Sequence, residues 1–282
     1  MNKFRLIIYS FFFCFIGVQL RAQLPDGTLG TLNYIQEIKK NYSDENAINF
    51  DINNPDISAL ITIRAHIIAD VNGNTRITKS DVINSLIVVN GYFKNIGLQF
   101  FVDSIDYIND YNYSLITYNK NKKELVTKHA VNNIINLFLV DTIKMGSLYS
   151  YGFTYFPIVT DSNFIFIKKS YFSGNSLSTM LGHFFGLLST HEILGGHELV
   201  NESNCNKSGD FICDTYADPD LFNLVIGNCK YNGQLQDSIG KYYVPSVANI
   251  MSNSSDACKC VFTPLQYRRM YYYYKKYRQY LK

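Results

Sequence analysis

Four aliphatic residues at alternate positions, Ile61, Ile63, Ala65 and Ile67, interleave with Thr62, Arg64 and His66, the two-residue period of a half-buried strand. Further on the period changes. Val82, Leu86, Val89, Phe93 and Ile96 recur at helical spacing and stop at Gly97, where a glycine C-cap belongs, and Leu98, Phe100 and Val102 resume the strand period. Strand, helix, strand in that order commits the chain to α/β layers around a twisted sheet. On this reading His66 falls on the more polar face of its strand, as a surface or hydrogen-bonded histidine.

The segment joining the first strand to the helix, D-V-N-G-N-T-R-I-T-K-S-D from Asp70 to Asp81, carries oxygen side chains at Asp70, Asn72, Asn74 and Asp81, as a calcium loop does. It lacks the rest of the device: Thr75 stands where the sharp turn needs glycine, Asp81 where a bidentate Glu belongs, and no helix precedes it. A plain connection is expected. Ile134 to Val140 and Phe164 to Ile167 read as further strands, separated by the loop SYGFTYFP. The tail YRRMYYYYKKYRQYLK sets Met270, Tyr274, Tyr277 and Leu281 on one stripe. This predicts a C-terminal helix docked on the core, Lys and Arg outward, rather than a nucleic-acid element.

Ahead of the first strand lie two segments of different character. Residues 1–22 read as a signal peptide: Lys3 and Arg5, an apolar run from Leu6 to Val18 too short to span a bilayer, and Leu20-Arg21-Ala22 before the cleavage point. Removing them takes away three cations and no acid, so the formal charge falls from +3 to 0 and the basic pI carries no argument for nucleic acid. Residues 23–58 are polar and weakly patterned, and read as an extended leader. No other stretch could cross a membrane. With 47% apolar residues, positions 59–282 suffice for one large core.

Cys14 leaves with the signal peptide, and the remaining cysteines, Cys205, Cys213, Cys229, Cys258 and Cys260, all lie in the last third. In an exported chain this pattern implies local disulfide stapling with one thiol left over; spacing alone does not determine which cysteines pair.

Four stretches in sequence order carry a family resemblance: GHFFGL at Gly182 to Leu187, ELVNESNCNKSGDFICDTYADP at Glu198 to Pro219, NIMS at Asn249 to Ser252, and CKCVFTPLQYRRM at Cys258 to Met270. From about Ala59 to the end the chain resembles the pappalysin-type metzincins, zinc endopeptidases. The resemblance implies a metzincin-like zincin fold of mixed α/β (α+β) class. A twisted sheet with backing and active-site helices, residues 59–187, would stand above a loop-rich, disulfide-stapled lower subdomain, residues 188–282.

Such enzymes read H-E-x-x-H-x-x-G-x-x-H: two histidines four apart on a helix hold zinc, the intervening Glu is general base, and a glycine turns the chain toward a third histidine. In that register only His183 and Gly186 match. Thr179 takes the first ligand position, Met180 that of the general base and Ser189 the third ligand position. Met251 matches the methionine turn, and Asn253 stands where the family commonly has a tyrosine that assists the tetrahedral intermediate. Two hydroxyls in place of imidazoles imply lost zinc affinity, and methionine cannot accept a proton from water.

His191 and His197 in HEILGGHE are six apart across two glycines, not at the spacing that converges on a helix. The resemblance also suggests calcium near Asp210, Asp214, Asp218 and Asp220, with acidic turns and caps as the equal alternative. It suggests the pairs Cys205–Cys229 and Cys213–Cys258, with Cys260 free.

The expectation is thus a secreted, periplasmic or envelope protein without a zinc cofactor, a pseudoprotease whose cleft binds a peptide or protein ligand and not nucleic acid. Two rivals stand beside it. One is an active zinc metalloendopeptidase using displaced ligands, the other a purely structural surface protein.

Overall fold

The computed structural model describes residues 30–117, 121–159 and 162–281. The signal-peptide reading at 1–22, Cys14 with it, and the first residues of the leader lie outside these. The alternating run becomes β1 (Ala59–Ile68) and the helical run becomes a helix, Lys79–Phe93, extended by a 3-10 turn to Ile96 and closed by Gly97 at φ 71°. Its start is a capping box, Thr78 with Asp81. The joining segment is a turn: Oδ1 of Asp70 accepts the backbone N–H groups of Asn72 and Asn74, and Oδ2 accepts from Arg76.

Residues 23–58 are not extended throughout. Thr31–Ala47 form a helix, α1, and the helix of Lys79–Phe93 is α2. The buried face of α1 is Tyr34, Ile35, Ile38, Asn41 and Glu45. Two of these are polar, so the apolar period that would have revealed the helix is broken. Their partners lie far along the chain. Asn41 Oδ1 accepts from Lys276 at 2.5 Å and Glu45 Oε1 accepts from Arg269 at 2.8 Å.

The main sheet is built from β1, β2 (Leu98–Ile108), β4 (Ile135–Val140), β7 (Gly152–Phe153) and β8 (Phe164–Lys168), in the order β2-β1-β4-β8-β7. All pairs are parallel except β7 with β8. A second sheet contains β3 (Leu115–Thr117), β5 (Thr142–Met145) and β6 (Leu148–Ser150), and α3 (Asn121–His129) lies between β3 and β4. Strand β7 falls inside the stretch read as a loop, SYGFTYFP. Its glycine hid it: a Cβ at Gly152 would meet the Phe166 carbonyl oxygen at 2.9 Å and Met180 Sδ at 3.1 Å, so no side chain marks the period there.

Ile61, Ile63, Ala65 and Ile67 join one core with α2 and the helices behind it, and the opposite face is buried too, by a cluster including Ile68, Tyr113, Leu125, Phe138 and Ile143. Toward the C-terminal end of β1 both faces of the sheet are covered, so no polar side remains there, although Thr62 and Arg64 earlier in the strand stay half-buried. His66 is therefore wholly buried, stacked on Phe138 at 4.5 Å, with Nε2 3.1 Å from Asn136 Oδ1 and Nδ1 3.2 Å from Asp106. Burial pushes its pKa down.

After β8, α4 (Gly174–Phe184) runs through the centre, and the chain continues through a loop-rich half containing only the hairpin β9 (Val225–Ile226) and β10 (Lys230–Tyr231). It ends in α5 (Pro264–Tyr273) with a π-helical turn, Tyr274–Arg278. Met270, Tyr274 and Leu281 face the core as expected. The outward placement of Lys and Arg does not hold for Arg269 and Arg278, both 0% exposed. Arg269 meets a carboxylate and two carbonyls, and Arg278 stacks its guanidinium 4.0 Å over Phe184.

Candidate functional site

Helix α4 begins at a capping box, Ser173 with Ser176, and Ser173 Oγ also donates to Asp256 at 2.6 Å. It ends where Gly186 adopts φ 102°, with Gly186 N–H bonded to the His183 carbonyl and Leu187 N–H to that of Gly182. That is a Schellman cap, and it sends the chain away from the helix axis. Leu188 therefore lies beyond the helix. A Cβ at Gly186 would lie 2.4 Å from Tyr34 Oη, whose hydroxyl donates to the Gly186 carbonyl at 2.7 Å. The methionine turn closes from below: a Cβ at Gly182 would lie 2.6 Å from Met251 Sδ.

On this frame each position of the motif has a definite place. His183 Nδ1 lies 2.7 Å from the Leu187 carbonyl oxygen. A carbonyl only accepts, so Nδ1 carries the proton and Nε2 is the nitrogen with a lone pair. Thr179 Oγ1 lies 2.9 Å from the Ile250 carbonyl and 3.1 Å from that of Asn175. Met180 is fully buried against Gly152. Asn253 donates to Asp220 Oδ1 at 2.7 Å.

A cavity of about 340 Å³ opens beside His183, lined also by Ser189, His191, His197, Asp218 and Asp220. Neither Thr179 nor Met180 reaches it. The exposed Ile193 also lines it, and the exposed Leu194 follows on the same loop between the two histidines. Burial raises the pKa of Asp218, opposed by His191 nearby and by the Thr190 hydroxyl, which donates to Oδ2 at 2.6 Å.

Zinc, which the resemblance implies, does not fit the donor set at the motif positions. One imidazole is present, and Thr179 turns its hydroxyl to a backbone carbonyl. Among the described residues no three His, Cys, Asp or Glu side chains form a group able to hold a metal ion.

The lower half does not gather Asp210, Asp214 and Asp218 as one calcium site. Asp214 caps α5, accepting from Thr263 Oγ1 at 2.6 Å and from the Leu265 N–H at 2.8 Å. Asp218 faces the cavity, while Asp210 is fully buried. Asp210 Oδ1 accepts from Ile212 N–H and Thr215, and its Oδ2 has no hydrogen bond. The sequence reading missed Glu198, which is 5% exposed with neither carboxylate oxygen hydrogen-bonded. Burial, then the neighbouring Asp210, pushes its pKa up to about 8; burial raises Asp210 to about 7. Glu198 and Asp210 are thus two neighbouring buried carboxylates with orphaned oxygens. Gly209 makes room for Glu198: a Cβ there would lie 2.6 Å from Glu198 Oε2, an approach that only the folded chain reveals.

The disulfides are Cys205–Cys213 and Cys229–Cys258, with Cys260 free and exposed. The same four cysteines pair as expected in membership but not in partner: Cys205 meets Cys213 across a tight loop, at a Cα–Cα distance of 5.0 Å, leaving Cys229 to Cys258.

No family model matches the chain. Two curated proteins named extracellular metalloprotease are similar over most of its length. That of Arthroderma gypseum is 25% identical over 265 residues, covering 88% of this chain and 83% of its own. That of Colletotrichum graminicola is 27% identical over 274 residues, covering 88% of each. Among solved structures, Tannerella forsythia mature mirolysin in complex with a cleaved peptide superposes with a TM-score of 0.57 at 17% identity, over 77% of this chain and 91% of mirolysin. Mirolysin bound to a compound gives the same TM-score at 16% identity, over 76% and 91%. The chain has the fold of a metzincin-like metallopeptidase and is similar in sequence to extracellular metalloproteases.

Proposed function

We propose that this chain is an exported, non-catalytic protein of pappalysin-like descent that holds a peptide or protein segment in the old active-site cleft. One observation carries the reading. The side chains at the first-ligand and general-base positions, Thr179 and Met180, are absorbed into packing, while the cavity beside His183 persists. A water molecule in that cavity meets no carboxylate from position 180, and among the described residues no group able to hold a metal ion lies beside it to polarise a peptide bond. The lining can still bind. It offers imidazoles and carboxylates inside and an apolar rim at Ile193, and mirolysin was solved with a cleaved peptide bound. Two disulfides and the extracellular relatives support export, and among the described residues no helix is long and apolar enough to cross a membrane.

The test is zinc content of the purified chain together with cleavage of casein and binding of a fluorescent casein-derived peptide pool. Substoichiometric zinc, no cleavage and saturable peptide binding are expected. One zinc per chain with chelator-sensitive cleavage would overturn the reading. It would favour the rival in which His183, His191 and His197, which share the cavity, supply displaced ligands.

A further inference from the structure

Lys259 sits directly behind the first-ligand position. Its side chain is fully buried, with Nζ 3.5 Å from Thr179 Oγ1 and 3.6 Å from Asp256 Oδ1. The backbone that delivers it is anchored to the first turn of α4, because Asn175 Nδ2 donates to the carbonyls of both Asp256 and Lys259, at 2.7 and 2.8 Å. The contacts extend both ways. Asp256 accepts from the helix cap Ser173, and Thr179 reaches the Ile250 carbonyl in the methionine turn. One buried ammonium thus lies within a polar chain that ties the start of α4, its central turn and the methionine turn together.

We infer that Lys259 is an internal cation braced against the centre of α4 at Thr179, with Asp256 as its counter-ion, and that it bars a divalent metal even when imidazoles are put back. The inference rests on the non-catalytic reading above. Its physical basis is twofold. The lysine chain fills space beside Thr179 into which a bulkier imidazole at that position would extend, and a fixed positive charge in a low-dielectric interior opposes a second cation nearby.

The experiment compares Thr179→His and Thr179→His/Ser189→His, each with Lys259 intact and with Lys259→Met, titrated with zinc alone. Bound metal is counted after dialysis, and the zinc-induced shift in melting temperature is read alongside. With Lys259 intact, both variants are expected to show neither bound zinc nor a shift. Adding Lys259→Met should tighten zinc binding by more than about 100-fold, the scale of one charge repulsion in a partly desolvated site. The single-ligand pair perturbs the fold least and remains readable if the larger variants unfold. Stoichiometric zinc in either variant with Lys259 present, or no gain from Lys259→Met in a folded protein, would overturn the role of Lys259. The unaltered chain, assayed in parallel for peptide cleavage, reports separately on the non-catalytic reading.

Discussion

Arg269 Nε donates to Glu45 Oε1 at 2.8 Å, with both side chains buried and 224 positions apart in the chain. The other two nitrogens of the guanidinium donate to the carbonyls of Asp210 and Phe211, at 2.5 and 2.7 Å. A single side chain thereby joins α1, α5 and the stapled loop of the lower half. This makes α1 part of the folded unit, although its sequence reads as leader.

Replacing one partner alone strands a buried charge. Glu45→Ala should cost about 3–5 kcal/mol, measured by urea denaturation, while Glu45→Ala with Arg269→Met should recover part of that loss. A cycle with no coupling between the two sites would show that the pair is not the joint described here.

Met180 makes a second case. It fills core space against Gly152, so Met180→Ala should destabilise the chain by about 2–5 kcal/mol and leave peptide binding unchanged, because the side chain does not line the cavity. A clear loss of peptide affinity without loss of stability would place Met180 in the binding surface instead.

The elements legible in the sequence were those whose buried face is apolar. β1, α2 and β2 announced themselves through apolar period, β4 and β8 as short apolar runs, and α4 through the family resemblance around His183 and Gly186. What escaped notice is buried but polar or featureless: Glu45 and Asn41 on α1, Gly152 in β7, His66 on a face that another sheet covers, and Arg269 turned inward. At the site, the residue types at positions 179, 180 and 189 were readable, but whether Met180 is packed or lines the cleft, and the approach of Lys259, were not. Both depend on segments that meet only in three dimensions.

Disulfide connectivity is likewise tertiary information. Peptide mapping under non-reducing conditions should yield Cys205 linked to Cys213 and Cys229 linked to Cys258. The second closes a separation of 29 residues against 8, so on the chain-entropy model its loss should cost roughly 1 kcal/mol more. Comparing Cys229→Ser/Cys258→Ser with Cys205→Ser/Cys213→Ser by denaturation checks the order, and a Cys205–Cys229 peptide would refute the pairing.

Glu198 and Asp210 set the pH response. Their pKa values in the folded chain, about 8 and about 7, lie above the ordinary 4.5 and 3.8, so on titrating upward the unfolded chain releases these protons first. The folded state then holds more protons, and stability falls as pH rises through the folded values. Burial holds His66 and His129 below their ordinary 6.5, which works in the opposite sense on the acid side, so the decline is cleanest between about 6.5 and 8. Melting temperature should therefore drop across that interval in chelator, and Glu198→Gln, which cannot ionise, should flatten the drop. A pH response identical in the two proteins would mean that Glu198 is not the group whose ionisation destabilises the fold.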